Sequence, residues 1–170
     1  YDEIYDEYFE KYRDKKINLA EIGIFFGDAL FIYSKYFKDV KLYGYDINTK
    51  FFNENQKDPD FLSKVQEIKQ LNSTISKDTI EIKHNFDIII DDGCHKILSM
   101  KNTFNNFFPK LKEGGTYFIE DVKGKKTKRL KEFFNSKGID YEIKINKKYT
   151  TYHHIFIISY QNYKESEDLN

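Results

Sequence analysis

Four carboxylates and one imidazole are concentrated in two short stretches of this chain, Asp91-Asp92-Gly93-Cys94-His95 and Glu120-Asp121. Each stretch closes an apolar run of the kind that forms a buried strand, residues 86–91 and 116–119. Neighbouring parallel strands would bring those ends together, and unpaired acids crowded into one crevice are costly. A divalent cation is the simplest remedy. An all-oxygen set of carboxylates and water suits Mg²⁺ better than zinc, which takes thiolates or imidazoles. Each acid also reads as a solvated loop residue or a helix cap, so it is their combination that points to magnesium.

A second constellation lies earlier. Glu21-Ile22-Gly23-Ile24-Phe25-Phe26-Gly27 joins an apolar run to a helical pattern, so its glycines let the backbone approach a ligand near a helix amino terminus. Asp46 ends a second apolar run 23 residues beyond Gly23, where a carboxylate can accept from both hydroxyls of a ribose. Two adenosine-containing ligands compete for this place, a nicotinamide dinucleotide and S-adenosylmethionine. A pyrophosphate wants G-x-G-x-x-G, whereas this chain has G-x-x-x-G with two phenylalanines between the glycines. The glycine pair alone also reads as a plain strand-to-helix turn.

With Glu21 ahead of the glycines and Asp46 behind them, the sequence resembles the class I S-adenosylmethionine-dependent methyltransferases, whose first motif is E-x-G-x-x-x-G and whose second strand ends in an acid. The resemblance implies that the Gly23 to Gly27 turn meets the methionine part of the cofactor and Asp46 the ribose. It also sets Gln70-Leu71-Asn72 where this group commonly has Q-x-D for the adenine amine; Asn72 replaces the acid and offers an amide oxygen instead. Asp-Asp-Gly-Cys-His at 91–95, Phe-Phe-Pro-Lys-Leu-Lys-Glu-Gly-Gly at 107–115 and Tyr-Phe-Ile-Glu-Asp at 117–121 narrow the likeness. They are similar to the metal-dependent sugar O-methyltransferases of macrolide biosynthesis, the mycinamicin and macrocin type, with D-D-G-S-H, L-F-P-x-L-x-x-G-G and Y-x-I-E-D. The similarity covers residues 1–121.

Carried over by position, this resemblance implies Asp92, Glu120 and Asp121 as ligands of Mg²⁺, His95 as general base in a catalytic pair with Asp92, and Asp91 in cofactor binding. The cofactor-binding set it implies is Glu21, Gly23, Gly27, Asp46, Ile47, Asn72 and Asp91. The chemistry agrees, because a sugar hydroxyl is a poor nucleophile while protonated and an in-line displacement needs it aligned behind the methyl group. Cys94 stands where the family has Ser and reads as a small buried residue. After Asp121 the family continues with a segment containing T-S-Y, whereas here Lys123, Lys125, Lys126, Lys128 and Arg129 follow. Those cations suit a phosphate or nucleotide diphosphate on the sugar, and equally a solvated helix start.

Periodicity supplies the elements that must hold these groups. Tyr1, Ile4, Tyr5, Tyr8, Phe9 and Tyr12 recur at helical spacing, so a helix leads over residues 1–14. Residues 17–22 read as a strand, 28–37 as a helix capped by Asp28, and 41–46 as a second strand, followed by a polar helical segment up to a turn at Asp58-Pro59. Strands come next at 65–71 and 86–91, the latter apolar on both faces and therefore mid-sheet. A helix bearing Ile97, Met100, Phe104, Phe107, Phe108 and Leu111 stops before Gly114-Gly115, and a strand takes up 116–119. After a helix over 125–136, strands at 141–145 and 154–160 are too close for a parallel crossover and must be antiparallel. The expected class is α/β, a Rossmann-like doubly wound, mostly parallel sheet with an antiparallel carboxy-terminal strand pair, as one domain over residues 1–170.

Composition bounds the partners. Lys plus Arg is 28 and Asp plus Glu is 28, so no bulk field draws the chain onto nucleic acid or an anionic membrane. An N/D-P-P-Y/F-type amino-methylating motif is absent, which also speaks against nucleic acid as substrate. One cysteine excludes an internal disulfide, and no apolar run nears the roughly 18 residues of a membrane span, so a reducing, cytoplasmic setting is expected. The chain opens at Tyr1 without Met, and the resemblance implies a preceding segment that closes over the cofactor. The resulting expectation is a Mg²⁺-dependent S-adenosylmethionine O-methyltransferase acting on a sugar or nucleotide-sugar, of a surface polysaccharide or glycosylated natural product, with homo-oligomerisation left open. Its rivals are an NAD-linked Rossmann oxidoreductase and a non-catalytic cofactor-binding module. His84 is expected in a loop, and His153 and His154 as core or edge residues rather than ligands.

Overall fold

The computed structural model describes residues 3–146 and 153–160. The leading aromatic pattern forms α1 (Glu3–Phe9) and a 3₁₀ turn (Glu10–Tyr12) that bury Tyr5, Phe9 and Tyr12; Tyr1 lies outside the described residues. Then come β1 (Lys16–Ile22), α2 (Asp28–Tyr36), β2 (Asp39–Asp46), two short helices α3 (Lys50–Asn55) and α4 (Pro59–Lys64), and β3 (Val65–Gln70). A single turn α5 (Ser76–Thr79) precedes β4 (Phe86–Asp91), α6 (Ile97–Phe107), β5 (Leu111–Val122), α7 (Lys125–Ser136), β6 (Glu142–Asn146) and β7 (His153–Ser159).

The strands form one sheet in the order β3-β2-β1-β4-β5-β7-β6. The first five are parallel, and β7 runs antiparallel to both β5 and β6, the architecture expected from the sequence. Ile88, Ile89 and Ile90 of the central β4 are completely buried because helices cover both faces. Strand order reverses between β1 and β4, so the crevice beyond their carboxyl ends is where such a sheet receives ligands.

Two aromatic clusters clamp β5, the strand that ends in Glu120-Asp121. On one face Phe9 of α1 lies 5.7 Å from Phe118 and 5.2 Å from Phe37. On the other, Phe104 of α6 lies 5.2 Å from Tyr117 and 4.9 Å from Phe134 of α7. Each such ring pair adds about 0.5–1.5 kcal/mol beyond the area it buries, so the position of the acid-bearing strand tip is fixed from both sides. Among the described residues no helix is long and apolar enough to cross a membrane.

Three local expectations are corrected. Asp58-Pro59 is a helix start rather than a turn, since Asp58 accepts from the Phe61 amide at 2.7 Å and Pro59 takes the first helical position, where its missing N–H costs nothing. Asp28 does not cap α2; that place belongs to Gly27, with no side-chain cap. The strand expected after Gly114-Gly115 begins before them, at Leu111, which leaves the helical run. Four residues of β5, 112–115, bulge against Asp87 of β4 there, and both glycines stay in the ladder through bonds to Tyr160.

Candidate active site

The turn after β1 is held by contacts only glycine permits. Gly23 sits at φ +88°, and a Cβ on it would come within 2.5 Å of the Asp92 carbonyl oxygen and 2.6 Å of the Gly93 Cα. The turns leaving β1 and β4 are therefore packed backbone against backbone, which ties the cofactor turn to the acidic one. Gly23→Ala is expected to cost about 3 kcal/mol, combining left-handed strain of about 1–2 kcal/mol with overpacking against atoms that cannot rotate away. Urea denaturation measures this, and an unchanged midpoint would contradict the packing described.

Beyond that turn a cleft of about 340 Å³ opens at the carboxyl ends of β1 to β4, within the usual range for small-ligand sites. Gly23, Asp46, Ile47, Asn72 and Asp92 all line it, together with Phe25 and Cys94. Each Asp46 carboxylate oxygen accepts one backbone N–H, Oδ2 from Phe25 at 3.1 Å and Oδ1 from Asn48 at 2.9 Å, leaving lone pairs for a diol. Phe25 pays for its hydrogen bond with φ +45° in the left-handed region and leaves its ring exposed beside the exposed Ile47, an apolar rim suited to a flat base.

Of the rest of the expected cofactor set, Gly27, Glu21 and Asp91 do not line the cleft, and Asn72 lines it with its amide oxygen already engaged. Gly27 packs against the Phe52 ring and does not line the cleft. The Asn72 amide oxygen already accepts from the Thr74 amide at 3.1 Å and hydroxyl at 2.8 Å, so it is engaged in its own turn rather than waiting for an adenine amine. Glu21 and Asp91 lie beneath the cleft, each 3% exposed. Glu21 Oε2 and Asp91 Oδ2 have no hydrogen-bond partner among the described residues. Burial, then the charges of Glu120, Asp92, Asp46 and Asp28, holds the Glu21 carboxyl well above its usual range. Burial likewise pushes Asp91 up to about 7, against a lowering hydrogen bond from the Gly93 amide. Cys94 is exposed rather than buried because the turn after β4 projects it to the cleft, where bonds from Ser99 and the Lys96 amide lower its thiol pKa.

One acid from the tip of β4 and one from the tip of β5 approach the same imidazole. His95 Nε2 lies 4.0 Å from Asp92 Oδ1 and 4.0 Å from Asp121 Oδ2, with Lys123 Nζ 3.8 Å from the same Asp121 oxygen. Burial depresses the His95 pKa; Asp121 opposes this, while Lys126, Lys123 and His153 reinforce it, so the ring is neutral at pH 7. Asp121 occupies φ +53°, a strained position for a non-glycine residue. Burial raises its pKa, but the hydrogen bond and charge of His153, with Lys123 and His95, bring it below the ordinary carboxylate range. The Tyr5 hydroxyl donates to Glu120 Oε1, and His153 Nδ1 meets Asp121 Oδ1.

Sequence reasoning missed these last two partners. His153 opens β7 and in addition reaches Asp121, because β7 pairs antiparallel with β5 and brings its first residue to the tip of the acid strand. His154 bonds instead to the Val122 carbonyl at 3.2 Å and Thr127 at 3.0 Å, and His84 sits in a loop beside the Tyr43 ring. Among the described residues no three His, Cys, Asp or Glu side chains form a ready metal cage. Magnesium does not require one, being held commonly by one or two carboxylates with water and substrate oxygens, so Asp92 and Asp121 converging on His95 fit it as a donor set. A second cleft, of about 280 Å³ beside Phe108, Tyr141 and Tyr160, lies toward the amino ends of the parallel strands, away from these groups.

A family described as a methyltransferase domain matches residues 20–122. The chain is 29% identical over 129 residues to the 8-demethyl-8-alpha-L-rhamnosyl tetracenomycin-C 2'-O-methyltransferase of Streptomyces olivaceus, covering 72% of this chain and 33% of that protein. It is 30% identical over 125 residues to the demethylmacrocin O-methyltransferase of Streptomyces fradiae, covering 69% and 30%. The chain thus spans about a third of the length of these relatives. Among solved structures, the MycE methyltransferase from the mycinamycin biosynthetic pathway, in complex with Mg and SAH, has the same fold with a TM-score of 0.71 at 20% identity. That match covers 98% of this chain and 51% of the other.

Proposed function

The chain belongs to the methyltransferase domain family, and on that premise we propose that it transfers a methyl group from S-adenosylmethionine to a sugar hydroxyl with the assistance of Mg²⁺. One observation carries the reading: Asp92 both lines the cleft at the switch point and approaches the imidazole of His95. A cofactor held in the cleft is thereby next to a base and to a second carboxylate, Asp121. The name of the Streptomyces olivaceus relative, a 2'-O-methyltransferase of a rhamnosyl tetracenomycin, supports the choice of acceptor.

The geometry supports the following division of labour. The Gly23 turn and Asp46 bind the cofactor, Asp46 through the ribose hydroxyls. Asp92, Glu120 and Asp121 would hold magnesium, which supplies positive charge that orients a sugar diol and acidifies its hydroxyl. His95, neutral and half exposed, takes the acceptor proton. Burial raises the pKa of Glu21 and of Asp91 under the turn, which lessens the negative charge that the floor of the site adds. Lys123 and Lys126, close enough to His95 to depress its pKa, favour an acceptor that carries phosphate or a nucleotide. The acceptor class is accordingly a sugar or nucleotide-sugar destined for a polysaccharide or glycosylated product.

Calorimetry with S-adenosylhomocysteine, then transfer of a labelled methyl group to free and nucleotide-linked sugars with Mg²⁺ or EDTA, tests the reading. Binding is expected, with turnover lost in EDTA and restored by excess Mg²⁺. Full activity in EDTA removes magnesium from the scheme, and binding of NADH without affinity for S-adenosylhomocysteine replaces the scheme with a dehydrogenase.

A further inference from the structure

We propose that His153 is a positioning residue that fixes the carboxylate of Asp121 for the divalent cation, an inference resting on the magnesium reading above. Three observations converge on it. First, Asp121 lies in the left-handed backbone region, at φ +53°, in the two-residue irregularity where the β5–β7 register shifts between Ile119 and Val122. A residue there leaves the line of the strand, and its side-chain direction is not set by the sheet. Second, the first residue of β7 reaches across to it, His153 Nδ1 meeting Asp121 Oδ1. A carboxylate that ligates a cation has only acceptor oxygens, so in the proposed arrangement the imidazole Nδ1–H is the donor of this pair. Third, the other oxygen, Oδ2, faces the reacting side, 4.0 Å from His95 Nε2 and 3.8 Å from Lys123 Nζ.

One oxygen is therefore anchored by β7 while its twin is presented toward His95. Hydrogen bonds of this outer kind hold first ligands in orientation, and their loss typically costs 10–100-fold in metal affinity. Strand alternation makes the arrangement specific to His153, since its neighbour His154 turns to Val122 and Thr127 instead.

The test uses the whole chain saturated with S-adenosylhomocysteine, titrated with Mg²⁺ and, as a spectroscopic probe, Mn²⁺. His153→Ala is expected to weaken cation binding at least about tenfold with no change in affinity for S-adenosylhomocysteine. His153→Asn is expected to restore cation binding, because its amide nitrogen falls at the place of Nδ1 and can still donate. Should the alanine variant fail to fold, His153→Gln takes its place: it keeps bulk and polarity but carries its amide at the position of Nε2, and is expected to bind the cation as weakly. Parental cation affinity in the alanine or glutamine variant overturns the proposal, as does an asparagine variant no better than alanine. Failure of the parent protein to bind either cation overturns the magnesium reading itself, an outcome distinct from equal binding by parent and variant.

Discussion

Replacing His95 with alanine is expected to lower methyl transfer about 10²–10⁴-fold, the usual contribution of a positioned base, while S-adenosylhomocysteine binds as before. The separation follows from placement. His95 is not on the wall of the cleft, whereas Asp92, Gly23 and Asp46 are. Its imidazole touches the acceptor side, at 4.0 Å from both Asp92 and Asp121. The pH dependence has a definite sign. A base acts only when unprotonated, and burial, with Lys126, Lys123 and His153, depresses the His95 pKa against the opposing charge of Asp121. The acid limb of kcat/KM should fall below the ordinary imidazole value of about 6.5, and His95→Ala should lack that limb in its residual activity. A variant that turns over at the parental rate, or one that folds yet loses cofactor affinity, would remove His95 from the role.

What the sequence disclosed, and what it withheld, divides by the range of the interaction. β4 was legible because Phe86-Asp-Ile-Ile-Ile-Asp91 is apolar on both faces, which only a central parallel strand requires. The Gly23 turn was legible because a backbone-to-backbone approach leaves a glycine as its trace. Both are local patterns. The turns around Asp58 and Gly114 went astray where one residue type serves two purposes: Asp-Pro opens helices as readily as it makes turns, and a glycine pair can bulge a strand as well as end a helix. The Asn72 turn carried a signal in Asn-Ser-Thr that could have been read as a side chain occupied by its own loop. His153 and Tyr5 left no such trace. They lie 32 and 115 residues from their carboxylate partners, and only strand order and the packing of α1 across the sheet bring them there. Motif residues announce the reacting groups, and the groups that aim them come from the fold.

Asp91→Asn is expected to raise the stability of the metal-free protein by roughly 4 kcal/mol at pH 8 and hardly at all near pH 4, the gap between a folded pKa of about 7 and an unfolded one of about 3.9 converted at 1.36 kcal/mol per unit. The folded-state value lies above the unfolded one, so the folded state holds the proton more tightly. Below about pH 4 both states are protonated and the carboxyl costs nothing. As pH rises toward 7 the unfolded chain ionises while the buried carboxyl stays neutral, and stability drains away; above 7 the loss is complete. Asparagine has no proton to lose, and its amide oxygen can keep the bond from the Gly93 amide that Asp91 Oδ1 now accepts at 3.3 Å. Glu21, shifted in the same direction, is present in both proteins and cancels in the difference. Urea denaturation across this pH range, with EDTA present because a nearby cation inverts the local balance of charge, gives the comparison. A difference between the two proteins that does not vary with pH would mean that Asp91 is not held neutral beneath the turn. The floor of the site would then add its own negative charge to that of Asp92 and Asp121 above.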